Sequence, residues 1–65
     1  MEKTALLEHL YAEACKALKF AEECNFEDEV AYWNGAHTAL VQTIAHIEGI
    51  GFQEVNFRVY DMLEG

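Results

Sequence analysis

Proline and serine are both missing from this 65-residue chain, and lysine and arginine together number only four. The lack of proline, with a 52% hydrophobic composition, suits a folded helical protein rather than a disordered one. The lack of serine removes every serine-based nucleophile. Against four cations stand 12 Asp and Glu, a formal net charge of −8 with the histidines neutral. Affinity for phosphates comes mainly from cationic side chains, so direct nucleic-acid binding is disfavoured, and so is an anionic membrane surface. A basic protein partner is compatible with the balance.

Cysteine is scarce too. Cys15 and Cys24 are nine residues apart, a rise of about 13 Å if they share a helix. A disulfide tolerates Cα separations up to roughly 7 Å, so two reduced thiols are expected. The opening MEKTALLEHL has no basic segment followed by a long apolar core, so no secretory signal is expected and a cytoplasmic location is. One domain, residues 1–65, is the most such a length supports. It buries only about 60% of the surface its unfolded form exposes. Domains this small are commonly reinforced by a disulfide, a metal or oligomerisation.

Apolar or small residues recur at Leu7, Leu10, Ala14, Ala17, Ala21 and Cys24, in steps of three and four, with Tyr11 and Leu18 alongside. That spacing predicts a helix over about 3–24. A second stripe follows at Phe26, Val30, Trp33, His37, Leu40, Ile44 and Ile47. It passes through Asn34-Gly35 without losing phase. Asn-Gly is a strong turn signal, but a turn would reset the rotation. One interior glycine costs only about 1 kcal/mol relative to alanine. A continuous helix over about 26–48 is expected, capped by Asn25, with Glu27, Asp28 and Glu29 in its first turn. Gly49 suits the left-handed position that ends it. A connection of a residue or two makes the pair an antiparallel hairpin.

The tail GFQEVNFRVYDMLEG fits two patterns. Phe52, Val55, Val59 and Met62 have helical spacing, whereas Val55, Phe57 and Val59 alternate as a strand does. A lone strand needs a partner from another chain, so a short third helix over about 52–63 is preferred. The expected class is all-α: a helical hairpin plus a short third helix, assembling into an oligomeric bundle.

Charge is absent from residues 30–47, although one quarter of the chain is charged. A surface helix normally carries charge opposite its apolar stripe. Here that side reads Tyr32, Gly35, Ala36, Ala39, Thr43 and His46, which points to a surface covered by protein. A short tail covers part of a long helix, leaving room for a second copy or a different protein, with a homodimer favoured. Eighteen helical residues rise about 27 Å, close to a bilayer core. Asn34, Gln42, two histidines and two threonines make the segment too polar for a lone span.

Few chemistries find their residues. His37 and His46, nine apart, point to opposite sides of a helix. The His-Glu-x-x-His motif is absent. So is the Glu-x-x-His of di-iron bundles, since Asn34 and Thr43 stand three before the two histidines. A metal shared between protomers is the one metal reading left, and no cofactor is expected. Cys24 lies among acids that raise a thiol pKa, no phosphate loop is present, and enzymatic activity is not expected. His37, inside an apolar stripe, is a candidate pH-sensitive core residue. Glu22, Glu23, Glu27, Asp28 and Glu29 form an acidic patch; Glu22 and Glu23 stand at the negative end of the first helix, where its dipole does not favour them. The leading expectation is a non-enzymatic interaction module, a small regulator, adaptor or inhibitor, that self-associates through its charge-free helix. The alternative is an acidic inhibitor that mimics nucleic acid towards a DNA- or RNA-binding protein.

Overall fold

The computed structural model describes residues 2–64. They form three helices: α1 Lys3–Glu23, α2 Glu27–Glu48 and α3 Phe52–Glu64. Ala14, Ala17 and Ala21 on α1 are all buried, as a stripe of small side chains against a neighbouring helix requires. The register is antiparallel: Tyr11 reaches Glu48 at one end, and Phe20 stacks on Trp33 at the other.

The helix termini correct one expectation. Asn25 does not cap α2. The cap position is Phe26, extended at φ −107°, ψ 129°, with no side-chain hydrogen bond to the first turn. Without that bond, Glu27, Asp28 and Glu29 are the first-turn groups that complement the helix dipole. Phe26 therefore leaves the apolar stripe and is 70% exposed. The connection is three residues, 24–26, and Cys24 follows α1 rather than ending it. At the other terminus Gly49 is left-handed (φ 70°, ψ 32°) as expected. The amides of Gly49 and Ile50 both donate to the Ala45 carbonyl, at 2.8 and 3.1 Å, a Schellman-type closure.

α2 runs unbroken through Gly35. A Cβ built there would meet nothing within 4 Å, so no part of this chain requires the missing side chain. Gly35→Ala is expected to stabilise the protein by about 1 kcal/mol through helix propensity, raising Tm by roughly 4–8 °C. Thermal melts in dilute solution check this, and an unchanged or lower Tm would contradict an open position 35.

The tail is helix, not strand. Val55 and Val59 pack into a core with Tyr11, Ala14 and Leu18 of α1 and Val41 and Ile44 of α2. Phe52 and Met62, on the expected stripe, stay exposed. Thirteen helical residues rise about 20 Å and α2's twenty-two about 33 Å. The core that α3 completes thus occupies one part of the hairpin. Trp33, near the connection, remains only half-buried.

Candidate interaction surfaces

Five of the six residues expected on the far side of α2, Tyr32, Gly35, Ala39, Thr43 and His46, are exposed, and Ala36 is half-buried. They fall within about one third of the helix circumference at 100° per residue. Tyr32 is 66% exposed, and its ring meets Trp33 edge-on at 5.0 Å. The Thr43 hydroxyl donates to the Ala39 carbonyl at 2.9 Å. That bond satisfies the hydroxyl within its own helix, so Thr43 can offer its methyl to a neighbour. The result is an uncharged ridge of small groups, bounded by a tyrosine and a histidine. α3 does not cover it.

The hairpin tip is a second distinct surface. Glu22, Glu23, Glu27, Asp28 and Glu29 are all exposed. Among the described residues none of them forms an ion pair; the two salt bridges both belong to Arg58. Cys24 donates to Glu29 at 3.4 Å. Partial burial, that bond and the negative charges of Glu29 and Glu23 push its thiol up, so it is a poor nucleophile at neutral pH. Beside these acids lie aromatics. Phe20 and Trp33 pack with ring centroids 4.9 Å apart, and Phe20 is 39% exposed.

His37 is where the apolar stripe placed it, at 7% exposure. Its Nε2 is buried and has no hydrogen-bond partner. Burial holds its pKa below the ordinary histidine value, so the neutral ring is the folded form. Cys15, half-buried, turns its thiol towards the Val59 carbonyl and the Met62 sulfur, both at 3.8 Å; burial pushes that thiol up too. Both cysteines are free. No group of three or more His, Cys, Asp or Glu among the described residues is placed to hold a metal ion. Among the described residues no helix is long and apolar enough to cross a membrane.

A polar cluster joins all three helices, and the spacing of the sequence does not reveal it. The Tyr11 hydroxyl donates to Glu48 Oε2 at 2.9 Å. Arg58 Nη1 donates to both, at 3.2 Å to Tyr11 Oη and 3.0 Å to Glu48 Oε2, and Nη2 lies 3.6 Å from Glu54. Burial, first of all, raises the Tyr11 pKa. The one available signal is that Arg58 is the sole cation after Lys19, near Glu48, where charge resumes after the neutral run. These contacts fasten α3 to one end of the hairpin.

Fold and surface together define the class: a small all-α protein of three helices. No protein-family model matches the chain, and no curated protein or solved structure matches it either.

Proposed function

We propose that the protein is a non-enzymatic interaction module that self-associates through the outer face of α2. The observation behind this reading is the absence of charge over residues 30–47 on a helix whose far side stays exposed. A monomer designed by selection to leave that side in water would carry charge there. A cytoplasmic setting accords with two free thiols.

Electrostatics selects the arrangement. A parallel pair would bring two acidic tips together. An antiparallel two-fold pair separates them by about the length of α2, roughly 33 Å, several Debye lengths at physiological salt. Gly35, Ala39 and Thr43 are spaced by four, so the closest approach falls at Ala39, which meets its own copy. Tyr32 then lies beside His46 of the partner subunit. The two copies of His46 stand about 21 Å apart along the helices, so this pairing does not build a shared metal site.

The test is solution mass against concentration. The wild-type chain is expected to pass from monomer to dimer as concentration rises. Ala39→Glu, and independently Gly35→Arg, should hold it at monomer mass with unchanged helical circular dichroism. Both positions are exposed, so neither change should unfold the monomer: Ala39→Glu is expected to move stability by under about 0.5 kcal/mol, and Gly35→Arg gains helix propensity much as Gly35→Ala does. A wild-type chain that stays monomeric at high concentration overturns the proposal.

A further inference from the structure

We infer that the hairpin tip is a docking site for a cationic amphipathic helix of another protein, its apolar side on the Phe20–Trp33 stack and its lysines or arginines against the flanking carboxylates.

The aromatic half of the site is unspent apolar surface. Phe20 is well exposed, Phe26 and Tyr32 more so, and Trp33 is only half-buried. The contacts of α3 run instead to Tyr11, Cys15 and Glu48 and to the core around Val41 and Ile44. Clustered aromatics at the surface are the groups that most often anchor an interface, because they bury large area with few torsions to order.

The acidic half specifies the partner. Five carboxylates fall within eight residues of sequence, and no Lys or Arg occurs between Lys19 and Arg58. With no ion pair among the described residues to neutralise them, they are free to pair with cations from outside. A second copy of this chain would bring the same negative charge and be repelled, and so would nucleic acid. A neutral apolar segment would satisfy the rings and leave the acids unanswered. An amphipathic helix with Leu on one side and Lys or Arg along its margins meets both. This site is separate from the α2 ridge, sharing only Tyr32 with it.

Trp33 is the sole tryptophan and reports occupancy directly. The full chain is titrated with a synthetic helical peptide of leucine and lysine in amphipathic order, following Trp33 emission. Controls are the same peptide with glutamate for lysine, and one of identical composition in scrambled order. Saturable binding of the first peptide alone is expected. Converting Glu22, Glu23, Glu27 and Glu29 to Gln and Asp28 to Asn together should weaken it about tenfold or more, as should Phe20→Ala, each about 1.4 kcal/mol or more. Phe26→Ala, at a highly exposed position, gives a second apolar readout should Phe20→Ala perturb folding. The Ala39→Glu variant should bind as wild type does, which separates this site from self-association. Equal binding of the scrambled peptide, indifference to both phenylalanine changes, or no saturable signal overturns the inference.

Discussion

Ile44→Ala is expected to leave the protein largely unfolded at room temperature. Ile44 is completely buried and packs among residues of all three helices. Truncating such an isoleucine removes its transfer energy and leaves a cavity, at a cost of about 2–5 kcal/mol. A domain of this size seldom has more than about 3–5 kcal/mol from its single core. The loss and the total are therefore comparable. Far-ultraviolet circular dichroism with urea titration measures it, and Tyr32→Ala on the exposed ridge supplies the control, expected within about 0.5 kcal/mol of wild type. If the chain dimerises, the melting temperature of wild type rises with concentration by mass action, so both variants should be compared at the same low concentration. A loss below about 1 kcal/mol for Ile44→Ala would contradict the packing of α3 onto the hairpin.

His37→Leu should have the opposite effect. The wild-type ring is buried with Nε2 lacking a partner, and an unsatisfied buried polar group typically costs about 1–3 kcal/mol. Leucine keeps much of the volume and removes the penalty, so a gain of about 1–2 kcal/mol at pH 7 is expected. The substitution should also change the response to acid. Burial lowers the folded-state pKa of His37 below 6.5, while the unfolded chain titrates near that value. Above it both states are neutral and the site contributes no slope. As pH falls below 6.5 the unfolded chain takes up the proton first, so stability declines until the folded state also protonates. Among the described residues no carboxylate lies within ion-pair distance of the ring to offset this. Urea midpoints from pH 7.5 to 5.0 should fall for wild type, and this histidine's share of the slope should vanish in His37→Leu. Equal slopes in the two proteins would remove His37 as the acid-sensitive group.

Helical phase was the most informative pattern in the chain. The steps of three and four from Val30 to Ile47 carried through Gly35, and α2 is continuous there, because a single unfavourable residue is outweighed by aligned packing on both sides of it. Left-handed Gly49 was legible for a similarly local reason: few other residues adopt that conformation cheaply. Asn25 was not. A good capping residue beside an acidic turn reads as a cap, yet the chain enters the helix one residue later, and a shift of one residue in a short connection is decided by how the two helices meet. The same shift exposes Phe26 and sets it near the acids. Of the surfaces, the α2 ridge could be named residue by residue because it is one face of one helix. The Phe20–Trp33 stack and the Tyr11–Glu48–Arg58 cluster join residues 10 to 47 positions apart on different helices. No spacing rule within an element reaches that far.

Local pattern in the chain was enough for the two helices of the hairpin, their approximate ends, the strong negative charge and the neutral run in the middle, since each depends on neighbours within a turn or two of backbone; that the tail is helix rather than strand came only with its packing on the hairpin. Tertiary structure decided which side of the hairpin α3 closes, which aromatics are left in water, and that Arg58 spans to Tyr11 and Glu48. Those outcomes follow from packing between elements, where the winning arrangement is the one that buries the valines of α3 and pairs its arginine at the same time. Helix periodicity sets the faces that are available; only the competition among them sets which are used.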